Sequence, residues 1–96
     1  MRFEWDENKR RSNKQKHGLD FEAATQLWND KDRIEIQTSF SGENRIILIA
    51  RIENKLWTAI FTERGDAIRI ISVRRAGNKE AKLYEQKETG QKCKRV

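Results

Sequence analysis

Apolar residues in this chain are gathered into a few stretches, and the period at which they recur changes along the sequence. Arg2-Phe3-Glu4-Trp5 alternates polar and apolar, which predicts a short strand or extended arm laying Phe3 and Trp5 on a core. Trp5 has a second use open to it, stacking on a nucleic-acid base, but packing is the commoner use of such a ring. From Asp6 to His17 no large apolar residue occurs, and Asp6 stands as the N-cap of a helix that is polar all round. Gly18 supplies a left-handed stop. Asp20 is expected to cap a second helix, on which Phe21, Ala24, Leu27 and Trp28 form one apolar face.

After Asp32 the period falls to two. Arg33, Glu35 and Gln37 alternate with Ile34, Ile36 and Thr38, and further strands are expected over Arg45–Ile52, Leu56–Glu63 and Arg69–Ala76. With Asn54-Lys55 as a two-residue loop, Ile46, Leu48, Ala50 and Ile52 share a core face with Trp57, Ala59 and Phe61. The opposite face then carries Arg45, Ile47, Ile49 and Arg51 beside Thr58, Ile60, Thr62 and Arg64, a mixture of aliphatic and cationic groups suited to a ligand or partner. The next loop is ambiguous. Three residues, Arg64-Gly65-Asp66, send Ser72 and Arg74 to the Arg45 side; two residues send Arg69 there instead, because a one-residue slip flips every side chain.

Asn78 is placed to cap a last short helix carrying Leu83 and Tyr84; Tyr84 has a catalytic use open to it, but packing is the expected one. The fold expected is α+β: two N-terminal helices on a four-stranded antiparallel sheet, five-stranded if the N-terminal arm joins it, and a short C-terminal helix. Residues 1–86 form the single domain expected, and Lys87 to Val96 read as a loose basic tail.

Composition narrows the partners. Twenty-one Lys and Arg against fifteen Asp and Glu give +6, which favours a polyanion: RNA, DNA or an acidic protein. One His and one Cys, the latter in the tail, exclude a structural zinc site and an internal disulfide and suggest a cytoplasmic setting. No apolar run approaches the roughly 20 residues of a membrane helix, so no membrane partner is expected.

Two stretches carry candidate chemistry. On the first helix Arg10, Lys14 and His17 make one row and Lys9, Asn13 and Lys16 another, so a flank is suited to follow a phosphate backbone; a solvated face is the plain alternative. In Arg69-Ile70-Ile71-Ser72-Val73-Arg74-Arg75-Ala76, guanidinium groups interrupt an aliphatic strand, as a phosphate site requires, unless they only snorkel to solvent. His17 is the sole imidazole, a group that exchanges a proton near neutrality, and a helix-end His bonding the last carbonyls is its structural alternative.

Taken in order, Phe3-Glu4-Trp5-Asp6 with Lys9, Asn13, Lys16-His17-Gly18, Phe21-Glu22-Ala23-Ala24, Glu43, Arg45, Arg69-Ile70-Ile71-Ser72, Arg74, Ala76, Glu80 and Tyr84 resemble the BrnT family from Arg2 to about Glu85. Two departures are visible: Ser72-Val73-Arg74-Arg75 stands where the family often has Ser-Ala-Arg-Lys, and the family often has a glycine near Ala50.

The resemblance implies a RelE-like toxin of a type II toxin–antitoxin pair, a metal-independent ribonuclease without cofactor that inhibits translation. It also implies a BrnA-like ribbon-helix-helix antitoxin, a heterotetrameric complex with it, and contact with operator DNA only through the antitoxin. The alternative is a non-catalytic module that binds nucleic acid or antitoxin through its cations. Metal-free cleavage requires proton transfer at the 2′-hydroxyl and leaving 5′-oxygen, and stabilisation of a pentacoordinate phosphate. For these tasks His17 is the candidate for proton transfer, with Glu43 as the carboxylate alternative. Arg45, Arg69 and Arg74 are the candidates around the phosphate, and Lys9, Arg10, Lys14, Lys16, Arg64 and Ser72 for RNA binding.

Overall fold

In the computed structural model, which describes residues 2–40 and 43–86, five strands form one sheet in the order β1-β5-β4-β3-β2. The strands are β1 (Arg2–Glu4), β2 (Ile34–Phe40), β3 (Glu43–Ile52), β4 (Lys55–Arg64) and β5 (Ala67–Arg75); the helices are α1 (Glu7–His17), α2 (Phe21–Ala24) and α3 (Asn78–Glu85). α2 runs on into a 3-10 turn, Thr25–Asn29. The fold is α+β as expected. The sheet, however, is mixed: the N-terminal arm pairs in parallel with β5, with Phe3 opposite Ile68 and Glu4 opposite Arg69. The basic tail expected from Lys87 onward lies outside the described residues.

The core lies between one face of the sheet and α2 with its 3-10 extension. Phe21, Ala24, Leu27 and Trp28 pack on Leu48, Ala50, Ala59, Phe61, Ile70 and Val73, all buried. Aromatic rings pack edge-on from Phe3 to Trp28, at 5.0 Å, and from Trp28 to Phe61, at 5.2 Å, which places the positive edge of one ring on the negative face of the next. Trp5, half-buried, packs edge-on against Phe21 in the same way, so its ring serves the core. Burying such rings stabilises a small domain by about 2–3 kcal/mol per side chain.

The β3–β4 loop is Glu53-Asn54, with Ile52 opposite Lys55 and Glu53 at φ 58°, one residue earlier than the Asn54-Lys55 loop expected. Moving a two-residue loop by one position shifts the pairing by two, so Ala50 meets Trp57 and Leu48 meets Ala59 while both faces keep their residues.

The β4–β5 connection takes the two-residue alternative as far as Ile70 and departs from it beyond. Its loop has two residues, Gly65 at φ 62° and Asp66, with Arg64 opposite Ala67, which puts Arg69 beside Thr62 on the Arg45 side and Ile68 and Ile70 in the core. Four residues on, Phe61 pairs with Ile70 but Ile60 with Ser72, so Ile71 is an extra residue, a β-bulge. The bulge reverses the alternation: Val73 enters the core, while Ser72 and Arg74 join Arg69 on the Arg45 side.

The side chain of Asn13 ties α1 to the sheet. β1 pairs with β5 only as far as Arg69, which leaves the backbone of Val73 open at the sheet edge. Asn13 closes it: its Nδ2 donates to the Val73 carbonyl at 2.8 Å and its Oδ1 accepts the Val73 N–H at 3.0 Å, the two bonds another strand would make. Asn13 is buried, so its expected place in an exposed cationic row gives way to this structural one.

Candidate nucleic-acid site

Asp6 caps α1 by accepting the N–H groups of Asn8 and Lys9, and Gly18, at φ 81°, ends it with its N–H on the Lys14 carbonyl. Between these stops, Asn13 sets the rotation of the helix. Lys9 lies one turn before it and Lys16 and His17 one turn after, so these three come to the β5 edge. Arg10, Arg11 and Lys14 consequently line the other flank of the helix. Arg10 is bound there, with Nε 2.9 Å from Glu7 and one guanidinium nitrogen 3.1 Å from both Asp20 oxygens. Asp20 holds the N-cap position of α2 without a side-chain capping bond; burial pushes its carboxyl up, but the bonds and charge of Arg10 leave it below its ordinary value.

The outer face of the sheet meets α1 in two adjoining depressions. The larger, about 510 Å³, is lined by Lys9 from α1, Asn44 and Arg45 from β3, Thr62, Glu63 and Arg64 from β4, and Arg69 and Ile71 from β5. Thr62 lies across from Arg69 in the β4–β5 ladder, and the next residue along β3 before Ile46 is Arg45, so the Arg45 and Arg69 side chains flank Thr62 on one face. The smaller, about 200 Å³, is lined by Ser12, Asn13, Lys16, His17 and Ser72, and again by Lys9 and Ile71, which form the boundary between the two. Four cations therefore converge in one cleft, and the sole imidazole lies in the groove beside it. Such an arrangement binds phosphate oxygens through forked and point-charge contacts and offers a proton-transfer group next to them.

Of the candidates named from sequence, Lys9, Arg45, Arg64 and Arg69 are brought together in the cleft, and Lys16, His17 and Ser72 in the groove. Arg10 and Lys14 are on the far flank of α1. Glu43 opens β3, but its side chain lies outside the described residues. Arg74 shares the outer face, yet lines neither depression. It forks onto Glu80 of α3, at 2.9 and 2.7 Å, while Thr58 and the Gly77 N–H donate to the same carboxylate at 2.9 and 2.7 Å. Gly77, and not Asn78, is thus the N-cap of α3, with Glu80 reaching back to its N–H. The Arg74 bonds are the main reason the Glu80 carboxyl falls to about 2. This clasp lays α3 over one end of the outer face, where Ile49 and Thr58 are buried. Tyr84, also buried, donates to Asp30 at 2.7 Å, which makes it part of the same clasp.

Sequence reasoning passed over two contributors. Asn44 stands beside Arg45 at the mouth of the cleft. Glu4, part of the Phe3-Glu4-Trp5-Asp6 motif, places a carboxylate oxygen 3.6 Å from Arg69 and 4.0 Å from Arg64. Only the parallel β1–β5 pairing, which no short-range pattern announces, puts Glu4 there.

Among the described residues no cluster of His, Cys, Asp or Glu has the makings of a metal site, and no helix is long and apolar enough to cross a membrane. No curated protein matches the chain. Residues 5–80 match the family model described as the ribonuclease toxin, BrnT, of type II toxin–antitoxin systems, and that span takes in α1, the arginine-bearing strands and the Arg74–Glu80 clasp. The chain belongs to the BrnT family of ribonuclease toxins.

Proposed function

We propose that the chain is a metal-independent endoribonuclease of RelE-like arrangement, which inhibits translation by cutting RNA with the cleft and groove between α1 and the outer face of the sheet. The observation that carries this is the convergence of Lys9, Arg45, Arg64 and Arg69, from four separate elements, next to the groove holding His17. The scissile phosphate sits in the cleft, where Arg45 and Arg69 meet the two charged oxygens of the pentacoordinate transition state. His17 moves a proton between the 2′-hydroxyl or the leaving 5′-oxygen and solvent, with Glu43 the carboxylate alternative for the base. Lys9, at the boundary, and Lys16 and Ser72 in the groove receive the adjoining stretch of backbone. Attack by the 2′-oxygen on phosphorus breaks the bond to the 5′-oxygen and leaves a 2′,3′-cyclic phosphate and a 5′-hydroxyl.

Type II membership brings with it an antitoxin protein. The partner proposed is a BrnA-like ribbon-helix-helix protein that forms a heterotetramer with the toxin in the cytoplasm and carries the complex to operator DNA, where it represses its own operon. The test of the activity is purified chain incubated with RNA in EDTA. Cleavage to cyclic phosphate ends, lost in Arg69→Ala and His17→Ala, is expected. Intact RNA in the presence of folded wild-type chain overturns the enzyme and leaves a binding module.

A further inference from the structure

We propose that Glu4 is a positioning residue for the cleft, a counter-charge that holds the Arg69 and Arg64 guanidinium groups in the orientation that receives the phosphate; this rests on the cleft's being the phosphate site. Four cations share about 510 Å³ and repel one another before substrate arrives. Glu4 approaches two of them from the edge strand. The parallel ladder sets it directly beside Arg69, on the same face, and its Oε2 lies 3.6 Å from one Arg69 terminal nitrogen and 4.0 Å from Arg64 Nε. Glu4 does not line the cleft, whereas Arg64 and Arg69 do, so its contact with one nitrogen of each leaves their other N–H groups available to a ligand there. An arginine has five N–H donors in a rigid fork, and one carboxylate leaves enough for a phosphate. Glu63 borders the cleft too, but it lies across from Ile68 of the core side, between the outward-facing Thr62 and Arg64, and it forms no ion pair with either arginine among those described.

The distances are those of an ion pair and not of short hydrogen bonds, and both partners are about one-third exposed, so the pair adds little to stability. Its effect is on geometry at the reacting phosphorus, where misplacement costs rate and not affinity. The experiment compares wild type, Glu4→Gln, Glu4→Asp and Arg69→Ala on a defined RNA, with melting temperature measured for each. For Glu4→Gln, kcat is expected to fall roughly 10- to 100-fold while KM is unchanged or lower and the melting temperature is kept. Glu4→Asp, which keeps the charge, is expected to restore most of kcat. Wild-type kcat in Glu4→Gln beside an inactive Arg69→Ala overturns the proposal alone; full activity in Arg69→Ala overturns the site as well. Losses in kcat that follow losses in melting temperature also overturn it, since they mark a structural role. Should Glu4→Gln fail to fold, nitrogen-15 spectra of the wild-type arginine side chains decide: hindered rotation of the Arg69 guanidinium is expected, and free rotation overturns the proposal.

Discussion

Arg69 and Arg74 stand on the same face of the sheet although they are five positions apart, an odd spacing that in an unbroken strand puts two side chains on opposite faces. Ile71, unpaired between Ile70 and Ser72, supplies the missing step. The two guanidinium groups then divide the work: Arg69 opens on the cleft, and Arg74 grips α3.

This division is testable by substitution. Arg69→Ala and Arg45→Ala are expected to lower kcat by about 100- to 1,000-fold, the scale of losing one oriented donor to a transition-state oxyanion, with little change in melting temperature. Expression of wild-type chain without its antitoxin is expected to arrest growth, and either substitution to relieve the arrest. Growth arrest by a soluble Arg69→Ala chain would place the phosphate elsewhere.

The clasp has a pH signature. Glu80 titrates at about 2 in the folded chain, below the ordinary 4.5, mainly because Arg74 bonds its charged form. A depressed carboxyl stabilises the fold above its unfolded value and loses that contribution as pH falls toward 2. Arg74 is partly exposed, so screening reduces the contribution to about 1–2 kcal/mol. Glu80→Gln is therefore expected to be less stable than wild type by that amount in urea near pH 7, and the difference to shrink as the pH is lowered toward about 2. Arg74→Ala should lower stability similarly.

Asn13 is expected to be the most sensitive position on α1. Replacing it with Ala leaves the buried N–H and C=O of Val73 without partners, at a cost of about 2–3 kcal/mol, visible as a lowered urea midpoint. Because Asn13 sets the rotation of α1, RNA cleavage should fall even where the variant remains folded. Arg11→Ala, on the far flank, should alter neither by much.

His17→Ala is expected to reduce kcat by about 100- to 10,000-fold, the range for a general acid or base, while RNA binding persists. Fluorescence anisotropy with a 2′-deoxy substrate that resists cleavage separates the two effects. Equal losses of binding and turnover would reduce His17 to a contact residue.

The bulge itself can be edited. Deleting Ile71 leaves a regular ladder in which Arg69 and Arg74 keep their face, so the variant is expected to fold, with its cleft altered. Inserting one residue beside Ile71 also makes the Arg69–Arg74 spacing even, so Val73 keeps its core face, but an unbroken ladder then carries it two positions along β4, away from Asn13, at a cost of about 2–3 kcal/mol. Urea unfolding of the two variants should therefore differ sharply.

The sequence by itself determined the elements and their inner faces. Helix stops at Asp6 and Gly18, the apolar stripe of Phe21 to Trp28 and the period-two strands are local patterns, legible because side-chain direction follows from 3.6- and 2-residue repeats. The ordered motifs carried the family. Tertiary structure decided what depends on pairing between distant segments: the parallel place of β1, which brings Glu4 to Arg69; the bulge, which returns Arg74 to the outer face; and the open edge at Val73, which captures Asn13 and so chooses the flank of α1 that meets the cleft. Each of these is fixed by hydrogen bonds that one segment makes to the backbone of another, and a bond of that kind leaves no period in the sequence.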